Sequence, residues 1–232
     1  MQSGLLRCDV PSLTNIPTMP TKPSTDLETE VRSAVASTDY GLAATRVLEG
    51  LGLEISRFLR ARLGDRSQAD EAYLQFSEDL WVGLPAFRWE SSLRVWLFVL
   101  ARNAATRVGR SRRREVELHS DRSDYLEFRA QVRTSTAQYA RTKVKDRMRE
   151  IRQRLDEDDQ TLLILRVDRK LEWRELAVVM NEVAADASEI DLQRASARLR
   201  TRFQTAKKRL RTLAEAEGLL RPDSSDGDGQ PS

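Results

Sequence analysis

The feature that most constrains this chain is a pair of basic, amphipathic segments in fixed order, Glu90 to Arg114 (ESSLRVWLFVLARNAATRVGRSRRR) and Leu199 to Arg211 (LRTRFQTAKKRLR). In the first, Leu93, Trp96, Leu97, Leu100, Ala101 and Ala104 recur at the i, i+3, i+4, i+7 spacing of a buried helical stripe. The opposite face carries Arg94, Arg102, Arg107 and Arg110 and runs into Arg112, Arg113 and Arg114 with no acid among them. One face of such a helix belongs against a core and the other against a polyanion. Two of these helices, joined by a polar stretch, predict a protein that grips DNA at two separated places.

The rest of the chain fits an all-α reading with two small helical domains. Its 232 residues exceed one average domain. Aromatics make up only 6% and charged residues 32%, as expected where small helical domains expose much surface, and few runs read as strands. The net charge of +3 understates the local asymmetry. Acids gather at Asp156 to Asp159 and in the tail, whereas arginines gather in the two basic helices. Cys8 alone cannot form an internal disulfide, and His119 alone offers no cluster for zinc or iron, so neither metal nor cofactor is expected. Neither these two residues nor the acidic clusters have the partners that acid–base or nucleophilic chemistry needs, so no catalytic residue and no enzyme is expected. No apolar run approaches the roughly 18 to 20 residues of a membrane span, and a cytoplasmic location is the expectation.

Punctuation along the chain predicts five stretches. Residues 1–40 read as a disordered arm, because Pro11, Pro17, Pro20 and Pro23 are mixed with Ser and Thr. Residues 41–115 form the first domain. There Leu48, Leu51, Ile55, Phe58, Leu59 and Leu63 make one stripe ended by Gly64-Asp65, and a helix from Gln68 to Val82 turns Glu78 and Asp79 outward. Pro85 breaks the pattern at Leu84 to Trp89, and Ser91 or Ser92 caps the basic helix that follows. Residues 116–137 are a linker of mixed charge. Residues 138–220 form the second domain, in which the Asp156 to Asp159 acids suit a helix N-terminus. A short helix follows from Glu172 to Met180. Ser188 and Asp191 then open a long helix with the stripe Leu192, Leu199, Phe203, Ala206, Leu210 and Leu213. Residues 221–232 read as a disordered acidic tail.

These motifs resemble the bacterial sigma factors of the extracytoplasmic-function type, which carry a promoter-melting domain (region 2) and a helix-turn-helix domain (region 4). The resemblance runs through Leu80-Trp81, Leu84-Pro85-Ala86-Phe87-Arg88, Glu90-Ser91-Ser92-Leu93-Arg94, Trp96-Leu97 and Ala101-Arg102-Asn103. In the second half it rests on Leu163-Ile164-Leu165-Arg166, Trp173-Arg174-Glu175-Leu176-Ala177 and Leu199 to Arg211. It implies a chain that binds RNA polymerase core at the beta-prime clamp and beta flap, directs promoter recognition and melting, and has an anti-sigma factor as a further partner. The polymerase contact falls to Glu71, Gln75, Glu78 and Asp79. The −10 contact falls to Phe87, Arg88, Trp89, Arg94, Arg102, Asn103, Arg107, Arg110, Arg112, Arg113 and Arg114. The −35 contact falls to Arg198, Arg200, Thr201, Arg202, Gln204, Thr205, Lys207 and Lys208, at the start of a recognition helix in the major groove.

The chain departs from the family pattern at three places. Glu71, Leu74, Gln75 and Ser77 replace the usual clamp-contact residues, Arg107 stands where an aspartate is common, and roughly ten extra residues lie between Met180 and Ala195. Plainer alternatives remain for each motif. Arg110 to Arg114 also suit a solvated helix end, Phe87 and Trp89 also suit the rim of a small core, and the long helix also suits a bundle. Against them, flipping a base costs a few kcal/mol, which stacking on aromatic or guanidinium planes at Phe87 to Trp89 would offset. Two other functions fit part of the sequence. One is a helix-turn-helix regulator that binds palindromic sites without polymerase, and the other is a degenerate sigma-like module that binds only protein.

Overall fold

The computed structural model describes residues 25–118 and 147–220, and every regular element among them is helical. The linker and the acidic tail expected at 116–137 and 221–232 lie largely or wholly outside the described residues, as do residues 1–24, Cys8 and His119.

The expectation of a disordered arm to residue 40 is corrected by α1, Thr25–Ala36. Leu27, Val31, Ala34 and Val35 fall on one face, and Val31 and Ala34 are buried against the next helix. The arm's prolines end at Pro23, so none lies within residues 25–36 to oppose a helix. The α2 helix, Tyr40–Leu63, begins where Asp39 accepts a hydrogen bond from the Leu42 amide (2.9 Å). It ends at Gly64, whose φ of +73° only glycine adopts readily. A Cβ there would also lie 1.5 Å from Gln153 Nε2, so this turn doubles as a point of close approach by the second half of the chain.

Asp65 then caps α3, Arg66–Gly83, by accepting from the Gln68 amide (3.1 Å). After a single 3-10 turn at Leu84–Ala86 containing Pro85, the basic helix α4 runs Leu93–Leu118. Its N-cap is Ser92, which accepts from the Val95 amide (3.3 Å), and Glu28 of α1 accepts from the Leu93 amide (3.2 Å). Helices α1 to α4 pack on one another around Phe58, Phe76, Phe98, Leu80 and Leu97, all fully buried. Phe58 and Phe98 meet edge to face at 5.5 Å.

Helical residues 147–153 (α5) lead to α6, Glu157–Leu163, which Asp156 caps. A π-helical turn continues α6 through Ile164–Asp168. Then come α7, Trp173–Val179, opened by a reciprocal Glu172/Glu175 capping box, and α8, Glu189–Ala216. Ser188 caps α8 by accepting from the Asp191 amide (3.2 Å), as the sequence predicts. The extra residues after Met180 are thereby divided. Residues 181–188 make the turn, and residues 189–194 add nearly two turns to the N-terminus of α8.

The two described stretches pack together. Helix α4 packs against α3, α2 and α7, and α2 also touches the π-helical turn. This explains why α4 buries more than its predicted stripe. Val95, Phe98, Ala105 and Val108 are buried too, Phe98 against Phe58 of α2. The sequence period marks one apolar stripe and carries no sign of a second neighbour.

Candidate nucleic-acid interface

The loop before α4 is an aromatic stack. Phe87 lies between Trp96 (centroids 4.4 Å, 15° between planes) and Trp89 (4.6 Å, 48°). The Arg32 guanidinium of α1 sits 4.5 Å over the Trp89 ring. Phe87 and Trp89 both pack half-buried against the rim of the core. Trp89 is the outer plate, and its φ of +61° is strained for a bulky side chain. Arg88 reaches outward, 77% exposed, and pairs with Glu90 (3.2 Å).

The arginines of α4 do not form one free basic face, and the structure corrects that expectation residue by residue. Arg94 is interior. Its guanidinium donates to both Glu54 carboxylate oxygens (3.2 and 2.5 Å) and to the Arg169 carbonyl (2.7 Å), with 14% of the side chain exposed. Arg102 donates to Asp158 (2.9 Å) and is 16% exposed. Arg107 turns back onto α3, where it pairs with Asp79 and donates to Gln75 Oε1 (3.3 Å). Arg113 donates to Glu157 (2.5 Å). Arg110, Arg112 and Arg114 are exposed, and Asn103 lines a cleft of about 740 Å³ between α4 and the Asp156 to Asp158 turn.

The polymerase-contact residues split in the same way. Glu71 and Glu78 are exposed on α3 beside the exposed apolar side chains Leu74, Trp81 and Val82, whereas Gln75 and Asp79 are engaged by Arg107. On α8, Arg198 pairs with Glu182 (3.2 Å), Arg200 lies over Trp173, and Arg202 is held by Asp156 and Asp159 (2.9 and 2.6 Å). Burial alone would lower the Arg202 guanidinium, but Asp159, Asp158 and Asp156 together outweigh it and raise its pKa. Thr201, Gln204, Thr205, Lys207 and Lys208 are exposed along one side of α8.

Several residues central to this surface carry no sequence signal of their own. Arg62, only 8% exposed at the end of α2, donates to Thr161 Oγ1 (2.8 Å) and to Glu157 (3.0 Å) across the chain. Desolvation lowers its pKa, and Glu157 opposes that shift. Arg169 is also lowered by burial, with Glu54 opposing, and its Nε is buried without a partner. In the sequence each of these is one arginine among many, and only the pairing of distant segments distinguishes it. Among the described residues no group of three or more His, Cys, Asp or Glu is arranged to hold a metal ion, and no helix is long and apolar enough to cross a membrane.

The sequence matches no protein-family model and has no significant match among curated proteins. Among solved structures it is similar to the sigma factor RpoE of Bartonella quintana, solved in complex with the anti-sigma factor NepR. That likeness has a TM-score of 0.54 and 19% identity, and it covers 75% of this chain and 97% of that chain. The fold of this chain is therefore sigma-factor-like and all-α, with both halves of the chain represented in the likeness.

Proposed function

We propose that this protein is a sigma factor of the extracytoplasmic-function type, a cytoplasmic, non-enzymatic subunit that binds RNA polymerase core and directs promoter recognition and melting. The observation that carries this reading is the fold match across nearly the whole of a sigma factor chain. It coincides with an aromatic loop that leads straight into a basic helix, and with a second basic helix in a helix-turn-helix position. The exposed part of α3, with Leu74, Trp81 and Val82 flanked by Glu71 and Glu78, is the surface for the polymerase clamp. Gln75 and Asp79 orient Arg107 instead of meeting polymerase.

On the −10 side, Arg110, Arg112 and Arg114 meet phosphates, and Trp89 with Arg88 forms the plate on which an unstacked base is held. Stacking on that plate offsets the loss of about 1.4 kcal/mol per base-pair step, so melting needs no nucleotide hydrolysis by this chain. On the −35 side, the exposed Thr201, Gln204 and Thr205 read base edges, and Lys207 and Lys208 hold the backbone. An anti-sigma factor is a natural partner, because the similar sigma factor was solved with one.

Run-off transcription tests the reading. With polymerase core from the same organism and the chain's own upstream DNA as template, a defined start that appears only with this protein is expected. Core binding without a transcript would instead assign the chain to protein interaction alone. Binding to duplex DNA without core binding would assign it to the plain helix-turn-helix regulators.

A further inference from the structure

The four acids at the start of α6 face two ways. Toward α4, Glu157 Oε1 accepts from Arg113 Nη2 (2.5 Å) and Asp158 Oδ1 accepts from Arg102 Nη2 (2.9 Å). Toward α8, Asp159 Oδ1 accepts from Arg202 Nε (2.6 Å), Asp156 Oδ2 accepts from Arg202 Nη2 (2.9 Å), and Asp158 Oδ2 lies 3.8 Å from Arg202 Nη1. Capping a helix needs only Asp156, which accepts from the Asp158 amide, and a favourable dipole explains acids here but not their partners. One acidic turn thus spans the two helices whose cations were assigned to promoter phosphates. A carboxylate on a guanidinium also makes the charge-assisted contact that a phosphate oxygen would make on the same group.

We propose that the Asp156–Asp159 turn is an internal latch. It occupies Arg102 and Arg113 on the −10 side and Arg202 on the −35 side, so DNA must displace the chain's own carboxylates before both halves can engage. The proposal rests on the promoter-binding reading of those arginines. Its physical basis is competition: Glu157 and Asp158 neutralise these guanidinium groups and take the Nη2 donors that a phosphate would otherwise use. The apparent affinity for DNA is reduced by the fraction of chains in which the turn has let go. The cleft between α4 and the turn, lined by Arg107 and Arg110 as well as Arg102 and Arg113, is where a phosphate backbone enters once the turn moves away.

The test uses the full chain carrying Glu157→Gln and Asp158→Asn, which keeps the Asp156 cap and the Asp159 pair. A charge-matched control carries Glu30→Gln and Glu49→Gln, which neutralise two partners of Arg46 on α1 and α2, outside the latch. Two quantities are read. One is the affinity for a fluorescein-labelled DNA duplex of generic sequence at low salt. The other is the distance between spin labels at Thr45→Cys on α2 and Thr212→Cys on α8, in a Cys8→Ser background.

The latch predicts roughly tenfold tighter duplex binding than the control and a longer, broader label distance, because the ion pairs of Glu157 with Arg113 and Arg62 and of Asp158 with Arg102 and Arg202 no longer hold the closed form. Should the double variant fail to fold, Asp158→Asn alone, at a partly exposed side chain, gives the same direction at about a threefold gain. Equal gains in variant and control would show a net-charge effect and overturn the latch, as would an unchanged distance with unchanged affinity. A distance that opens with no gain in duplex binding over the control would show that the turn joins the halves but covers no DNA site. That result would remove the promoter-contact reading of Arg102, Arg113 and Arg202.

Discussion

The pair Arg62 and Glu157 gives a test in which two truncations of one contact have unequal costs. Arg62 is 8% exposed, whereas Glu157 is 35% exposed and shared with Arg113. Glu157→Ala leaves the buried guanidinium with Thr161 alone. Breaking a fully buried pair this way costs about 3 to 5 kcal/mol, and the exposure of the carboxylate and the remaining Thr161 bond reduce this to about 2 to 3 kcal/mol. Arg62→Met keeps the apolar stem in place and leaves Glu157 partly solvated and still paired with Arg113. Thr161 Oγ1 also keeps its bond to the Glu157 carbonyl (2.8 Å). The expected cost is about 1 kcal/mol. In urea unfolding followed by circular dichroism, Glu157→Ala should lower the midpoint clearly more than Arg62→Met at constant slope. Thermal midpoints should fall by roughly 5 to 10 °C and roughly 2 to 4 °C respectively. The reasoning would be falsified if Arg62→Met proved as costly as Glu157→Ala, because the buried charge would then not be what Glu157 compensates.

Four further outcomes follow from the same geometry. Arg110→Gln and Arg114→Gln should each reduce the salt slope of duplex binding by roughly one, whereas Arg94→Gln should leave the slope unchanged and lower stability instead, because Arg94 faces Glu54. Phe87→Ala should cost about 2 kcal/mol of stability through the lost stack on Trp96. Trp89→Ala should cost less, yet abolish promoter opening as read by permanganate footprinting. Ser188→Ala should lower stability by about 1 kcal/mol through loss of the α8 cap, and an unchanged urea midpoint would exclude that role. Gly64→Ala should destabilise more than a cap loss, since the position needs positive φ and faces Gln153; a hydrogen-exchange map with no change near residue 153 would contradict this.

Apart from α1, the sequence by itself determined the helices, several of their caps and most of their apolar stripes, because these depend on local periodicity and on side chains three or four residues apart. The stop at Gly64, the cap at Ser188 and the Phe58, Phe76 and Leu80 core positions were legible for that reason. The order of an aromatic loop and two basic helices was legible too, and it led to the sigma-like fold. The tertiary structure decided what the charges do. Arg102, Arg110 and Arg113 share one side of a helical wheel, yet Arg102 and Arg113 meet the acidic turn and Arg110 is exposed, while Arg94 is locked to Glu54 and Arg107 meets α3. A guanidinium reaches several ångströms and pairs with whatever carboxylate the packing brings near. Its partner is therefore a property of segments tens of residues apart, which no local pattern in the sequence encodes.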